Sequence, residues 1–188
     1  MTNGDWIRFN EYDDVLASTD LLALVAGSLK NVPTNWKWMI LAAHSFLQGA
    51  LVCAVQDSTR TNILKKKSAK ETLAWLNSDL TENQPLQYLD EFPELLKKYR
   101  TKYRSITIEI SQEKDLATLH KEFRNNFTHF APMQWSIEAA GLPRIVGTAL
   151  NLAEAAMHQH QVEIHLSEQM KQRLTQNLAT IRGALLGY

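Results

Sequence analysis

The chain has 188 residues, of which 45% are hydrophobic and 21% charged, and this composition is typical of a folded protein rather than a disordered one. The length suffices for one well-filled core and is short for two, so we predict a single domain over residues 1–188. The 20 basic and 20 acidic residues cancel. A global positive charge is therefore excluded, and any nucleic-acid contact must use a local patch.

One cysteine, Cys53, excludes an intramolecular disulfide and a zinc site built from cysteines. It lies in a hydrophobic run, and we predict that it is buried filler. Residues 1–5 are polar and lack the basic and apolar regions of a signal peptide, so export is not indicated and we expect a cytoplasmic location.

Two long helices are predicted in the first part of the chain. Apolar residues recur at helical spacing over residues 10–30, with Asn10 as the N-cap. A second helix, capped by Thr34 or Asn35, extends to about Gln56.

The apolar run within this second helix, Trp36–Val55, has about the length of a membrane span. Lys37, His44 and Gln48 interrupt it at spacings that place all three on one helical stripe. A buried core helix with one polar edge explains that pattern better than a lipid-facing helix does, because polar groups in lipid are costly. We therefore expect no membrane association.

Two short helices should follow. Ser68 and Glu71 have the spacing of a capping box, and Pro93 suits the first turn of a helix. Beyond them Ile106, Ile108 and Ile110 alternate with polar residues. We predict an extended connection there, paired locally with residues 6–9 and not part of a larger sheet.

Two basic runs, at residues 65–70 and 97–104, are candidates for nucleic-acid binding. The second interleaves cations with Tyr99 and Tyr103, which could contact phosphates and stack on bases, although a solvated helix end explains it too. The candidate nucleic-acid-binding residues are Lys65, Lys66, Lys67, Lys97, Lys98, Arg100, Lys102 and Arg104.

Ser111 can cap a further helix whose inner face carries Leu116, Leu119, Phe123 and Phe127. Pro132 prevents this helix from continuing far. Two more helices are predicted, one from Leu142 to about His160 and one capped by Ser167. The chain therefore predicts an all-α helical bundle of about five main helices plus short ones.

Histidines 158, 160 and 165 suggest a metal site, but residues two apart on a helix do not share a face, so a frayed helix end is favoured. The chain also lacks a glycine-rich phosphate loop and a His-Glu-x-x-His helix. We predict neither a metal nor a cofactor.

The strongest candidate site is the run at residues 123–129, at the end of the predicted helix before Pro132. It contains Arg124, Asn125 and His129. The arginine side chain offers a planar charged fork that suits phosphate oxygens, and histidine is the side chain most easily poised to move a proton near neutral pH. Arg124, Asn125 and His129 are the candidate catalytic residues.

This run resembles the signature of the HEPN superfamily of small helical-bundle proteins, in which an arginine, usually followed by a polar residue, precedes a histidine by four to six positions. The continuation through residues 130–138 and 141–143 resembles a poorly characterised bacterial branch of HEPN-like proteins. The resemblance covers about 40 residues, from Ser105 to Ile145.

The resemblance implies a HEPN-like domain that forms a homodimer and is directed to RNA. Many HEPN proteins are metal-independent endoribonucleases of defence or toxin systems, so an antitoxin or other protein partner is implied too. His129 would manage the proton of the ribose 2′-hydroxyl, Arg124 would stabilise charge on the phosphate, and Asn125 would orient the substrate.

Two alternatives remain for the same residues. In one, Arg124 pairs with an acid such as Glu138 and His129 only caps the next turn. In the other, the protein is a non-catalytic helical module that binds a partner or a nucleotide in the same cleft.

Overall fold

The protein is an all-α helical bundle. The computed structural model describes residues 6–78, 80, 83–129, 132 and 134–188. The α-helices in chain order are α1 (Glu11–Ala26), α2 (Trp36–Val55), α3 (Lys66–Leu76), α4 (Phe92–Lys102), α5 (Ile110–Ala117), α6 (Asn125–Thr128), α7 (Leu142–Met157), α8 (His160–Glu163) and α9 (Glu168–Leu186). A π-helical segment, Thr118–Arg124, joins α5 to α6 in one continuous helical run. The predicted fold class is confirmed.

Helix α2 is the central element, because α1, α4, α7 and the π segment all pack against it. Most of its apolar residues are buried, and Ile40, Phe46 and Leu51 are fully so. The span Pro33–Val55 is long and apolar enough to cross a membrane, yet 72% of its most apolar window is buried inside the protein. That burial is what a core helix requires.

The C-terminal carbonyls of α2 are capped by side chains from elsewhere in the chain. Tyr103 Oη donates to Ala54 O at 2.8 Å, and Lys102 Nζ donates to Ala54 O at 2.9 Å. Gln161 Nε2 donates to the same carbonyl. Helix C-termini have carbonyls without intrahelical partners, so these three donors replace the partners that the helix itself cannot supply.

Helices α1 and α2 approach closely at Gly49. A Cβ atom on Gly49 would lie 2.8 Å from Val15 Cγ2, so no larger residue fits without a shift. The buried thiol of Cys53 lies in the same interface, 3.7 Å from the Glu11 carbonyl. Burial raises the pKa of this thiol to about 12, and the prediction that Cys53 is buried filler is confirmed.

Several predicted caps are correct and others are wrong. Asn10 caps α1 in a capping box with Asp13, and Ser167 caps α9 by accepting from Met170 N. Ser68 lies inside α3 instead of capping it, because its hydroxyl is buried and bonds Leu86 O and Tyr88 N. A helix end cannot be read from spacing when tertiary contacts recruit the hydroxyl.

The predicted N-caps of two other helices, α5 and α2, also differ from the structure. Glu109 and not Ser111 precedes α5, in a capping box with Gln112. Asn35 makes no capping hydrogen bond and donates instead to Ser28 Oγ at 2.7 Å.

The predicted extended pairing is wrong for the described residues. Ile110 begins α5, and residues 6–9 are exposed coil without bridges to residues 106–109. Among the described residues the one isolated bridge joins Leu64 to Leu89 instead. The alternating isoleucines are explained by packing, since Ile106 and Ile108 are half-buried against the core.

The helical run over residues 110–128 is held in place at both ends. Near its start, buried Asp115 accepts hydrogen bonds from Arg144 and from Thr148 Oγ1 on α7. Near its end, Phe123 and Phe127 pack on Trp135, with the Phe127 and Trp135 ring centroids 4.7 Å apart. Leu116 and Leu119 are buried, so the predicted inner face is confirmed.

Replacing Gly49 by alanine should destabilise the protein. The new methyl group would overlap the stiff β-branched side chain of Val15, and overpacking of this kind costs about 1–3 kcal/mol, more than the helix propensity gained. Gly147→Ala on α7 is the matched control, because no neighbouring side chain of the described residues lies within 4 Å of the added methyl group.

We expect the Gly147→Ala variant to gain about 0.5–1 kcal/mol in the free energy of unfolding, measured by urea denaturation. An equal gain in the Gly49→Ala variant would contradict the close contact between α1 and α2.

Candidate functional site

Arg124 is the last residue of the π segment, one position before α6. Short π-helical stretches within α-helices are frequent at functional sites, because they change the direction in which side chains point. The Arg124 side chain is half-buried, and its Nη1 donates to Asn125 Oδ1 at 2.9 Å. The amide thus orients one edge of the guanidinium.

Arg124 forms no ion pair with any described residue. No ion pair joins Arg124 to Glu138, the acid named as an example in the first alternative, and Glu138 is exposed. A half-buried guanidinium without a carboxylate keeps its charge available to an incoming anion.

Arg124 faces a cleft of about 450 Å³ between three helical elements. Thr128 adds a second polar residue from the same helical run, and the opposite walls come from α1 and α2. The remaining lining residues are Glu11, Asp14, Leu41, His44, Ser45, Gln48, Gly49, Val52 and Leu89. Two residues of the polar stripe predicted on α2, His44 and Gln48, therefore line the cleft together with Arg124.

The two ends of the cleft, followed along α2, carry side chains of opposite charge. His44 lies close enough to Arg124 for the guanidinium to affect its ionisation. Asp14 lies at the other end, with Oδ2 3.6 Å from the position that a Cβ on Gly49 would take. Five residues of helix separate His44 from Gly49, about 7.5 Å along the axis. An anion is therefore favoured at the Arg124 end.

Two histidines form a hydrogen-bonded pair behind Arg124. His44 Nε2 lies 2.9 Å from His120 Nδ1, and the Phe92 ring packs on both imidazoles at 4.9 Å between centroids. Burial lowers the pKa of His44 to about 3, and the nearby His120 and Arg124 act in the same direction.

Burial also lowers the pKa of His120, with Arg124 and Lys121 contributing. Both imidazoles are therefore neutral near pH 7, so one nitrogen can donate and the other accept. The positive charge at this end of the cleft belongs to Arg124.

His129 ends α6, and its backbone N–H donates to Asn125 O at 2.9 Å. Its side chain is exposed and does not line the cleft. Asn125 is half-buried beside Arg124. The structure thus places Arg124 at the cleft with Asn125 hydrogen-bonded beside it, and leaves His129 on the surface at the end of the same helical run. Phe130, Ala131 and Met133, which belong to the HEPN resemblance, lie outside the described residues, as do residues 1–5.

The predicted nucleic-acid-binding cations lie apart from the cleft lining. Five of them are within 4 Å of a carboxylate, in the pairs Lys65–Glu91, Lys67–Glu71, Lys97–Glu94, Lys98–Asp90 and Arg100–Glu113. Lys102 donates to α2 carbonyls, whereas Lys66 and Arg104 are exposed and form no ion pair with a described residue. Exposed ion pairs are weak, so the paired cations could still exchange partners with a phosphate.

The two tyrosines of the second basic run are held by contacts within the fold. Tyr99 is fully buried and packs on Tyr103, at 5.0 Å between ring centroids. Tyr103 is half-buried and its hydroxyl caps α2. This run therefore stabilises the C-terminus of α2, as expected for a helix end with a structural role.

No group of three or more possible metal ligands occurs among the described side chains. In the histidine cluster near α8, His158 Nδ1 lies 2.9 Å from Glu163 Oε1. His165 packs against the Tyr12 ring at 5.6 Å between centroids.

Sequence reasoning missed His120 and Phe92 as parts of this site. His120 precedes Arg124 by four residues in a helical run, and that spacing on one face was the available signal. His44 was recognised as part of a polar stripe, but nothing in the sequence paired it with His120, 76 residues later.

The neutral histidine pair predicts a pH-dependent stability. In the unfolded chain His44 binds a proton below about pH 6.5, whereas the folded protein keeps it neutral down to about pH 3. Unfolding therefore takes up a proton in this window, and stability falls as the pH is lowered from 6.5. Because His44 takes up a proton on unfolding, the free energy of unfolding should fall by about 1.4 kcal/mol for each pH unit between pH 6 and 4.

His44→Phe retains the ring and removes the titration, so its free energy of unfolding should fall less steeply with decreasing pH than that of the wild type. His160→Phe, at an exposed position, is the control. Identical slopes for His44→Phe and the wild type in chemical denaturation would contradict the buried neutral pair.

The candidate site therefore consists of an arginine in a cleft with no ion-pair partner among the described residues, an amide that orients it, a neutral histidine pair behind it and an exposed histidine at the helix end. Comparison with family models, curated proteins and solved structures gave no match to the chain.

Proposed function

We propose that the protein is a HEPN-like, RNA-directed, metal-independent endoribonuclease. One observation carries this proposal: Arg124 is a half-buried cation that faces a cleft and has no carboxylate partner among the described residues. A guanidinium in this setting suits the phosphate of an RNA strand, because its planar fork can donate two parallel hydrogen bonds to phosphate oxygens.

The proposed reaction is an internal transesterification. The ribose 2′-oxygen attacks the adjacent phosphorus, the bond to the 5′-oxygen breaks, and the products are a 2′,3′-cyclic phosphate and a 5′-hydroxyl. The nucleophile is already held next to the phosphorus, so positioning and charge stabilisation supply most of the rate. Arg124 stabilises the charge on the phosphate, and Asn125 keeps the guanidinium aligned.

In this scheme His129 takes the proton from the 2′-hydroxyl, and the departing 5′-oxygen receives a proton from the imidazolium so formed or from water. Its exposed side chain lies outside the cleft lining of its own protomer. We therefore propose a homodimer in which two such helix ends share one RNA-binding cleft. In a toxin or defence system, a protein partner such as an antitoxin would act by covering this cleft.

A second candidate is a non-catalytic module that binds a nucleotide in the same cleft. This candidate is favoured by the positions of the two side chains within one protomer, because Arg124 faces the cleft and His129 does not. In this reading Arg124 binds the phosphate of a nucleotide and no bond is broken.

RNA cleavage in excess chelator tests both candidates. The wild type should produce fragments ending in a 2′,3′-cyclic phosphate, and His129→Ala and Arg124→Ala should each reduce the rate by about a hundredfold or more. His160→Ala, at an exposed position on α8, should cleave like the wild type and serves as the matched histidine control.

The same RNA pattern from the wild type and His129→Ala would refute catalysis. If the wild type then still binds a nucleotide and Arg124→Ala weakens that binding, the second candidate stands. If neither cleavage nor Arg124-dependent binding occurs, both candidates fail.

A further inference from the structure

A second cavity, of about 340 Å³, lies beside α6 and the start of α2. It differs from the Arg124 cleft in having aromatic and aliphatic walls with a lysine among them. The side chains that matter here are Trp36, Lys37, Phe127, Trp135, Ile137 and Leu142. The described residues that line it do not line the Arg124 cleft.

The two cavities follow one another along the same helices. On α2, Lys37 lines the aromatic cavity and Leu41 lines the Arg124 cleft, one turn or about 6 Å further along the axis. On α6, Phe127 lines the aromatic cavity and the adjacent Thr128 lines the cleft. A ligand that extends along α2 from Arg124 towards its N-terminus therefore reaches the aromatic cavity next.

The aromatic walls are partly open. Phe127 and Trp135 are half-buried, with ring planes inclined by 59° and centroids 4.7 Å apart. Rings exposed in this way can stack on a flat ligand without displacing core residues. Every nucleobase has such a face, and aromatic side chains are the usual stacking partners of bases in single-stranded RNA.

The charges favour an anionic ligand on this side of Arg124. Lys37 is half-buried, its Nζ lies 5.1 Å from the centre of the Trp38 ring, and it forms no ion pair with a described residue. Asp14 lies at the opposite end of the cleft, beside Gly49. A phosphate chain is therefore attracted towards Lys37 and repelled from the Asp14 end.

We propose that the aromatic cavity is a nucleobase-binding subsite for a single RNA strand whose phosphate is bound by Arg124. The base stacks on Trp135 and Phe127, and Lys37 contacts the adjacent phosphate. This inference rests on the proposed RNA-directed function and deepens it by giving the site a subsite for a base.

Binding to strands with and without bases tests the subsite. We would use an RNA of about eight uridines and an abasic strand of the same length, labelled for fluorescence anisotropy. All variants would be made in the His129→Ala protein, so that the RNA stays intact. This parent protein should bind the uridine strand about tenfold more tightly than the abasic strand.

Trp135→Ala should abolish this preference and leave the affinity for the abasic strand unchanged. Trp135→Phe, which retains a stacking face, should preserve most of the preference. Phe127→Leu keeps apolar packing without a ring and should reduce the preference, which covers the case in which Trp135→Ala fails to fold. Trp6→Ala removes an aromatic side chain that is 89% exposed and is the matched control.

Arg124→Ala separates the subsite from the phosphate site, because it should weaken binding of both strands. If Trp135→Ala and Phe127→Leu keep the preference, or if the parent protein binds both strands equally, the subsite is refuted while phosphate binding by Arg124 stands. If the parent protein binds neither strand, the RNA-directed function and the subsite fail together.

Discussion

The burial of helix α2 is the constraint on which the rest of the structure depends. Its apolar sides are covered by α1, α4 and α7, with Gly49 allowing α1 to approach closely. Its last carbonyls accept hydrogen bonds from Tyr103, Lys102 and Gln161, so Lys102 and Tyr103, at the end of α4, stabilise the end of this helix. The side of α2 that these helices leave uncovered carries a polar stripe, and the helical run over residues 110–128 packs there.

The candidate site follows from this packing. A polar stripe inside a bundle needs partners, and His44 finds one in His120 at 2.9 Å. Both rings stay neutral because an ionised side chain is costly to bury away from water. Arg124, one helical turn after His120, then faces the cleft without a carboxylate partner among the described residues. The bundle thus presents one cation beside a neutral, hydrogen-bonded wall, and its charge remains available to a phosphate.

The sequence predicted most of the fold because helical periodicity and strong caps are local signals. The inner face of Leu116, Leu119, Phe123 and Phe127 and the Asn10 cap are examples. Ser68 failed as a cap because its hydroxyl bonds a loop about 20 residues away, and the isoleucines at 106 and 108 alternate for reasons of packing. The site was predicted in part: Arg124 and Asn125 lie together, but the His44–His120 pair and the aromatic cavity join residues distant in sequence.

The central claim is that Arg124 binds an RNA phosphate, and a crystal structure with a short RNA tests it most directly. The strand should be methylated on its 2′-oxygens so that it cannot be cut. The account predicts a phosphate oxygen within hydrogen-bond distance of the Arg124 guanidinium, with the neighbouring base against Trp135. A strand bound along residues 97–104, with the Arg124 cleft free of phosphate, would contradict it.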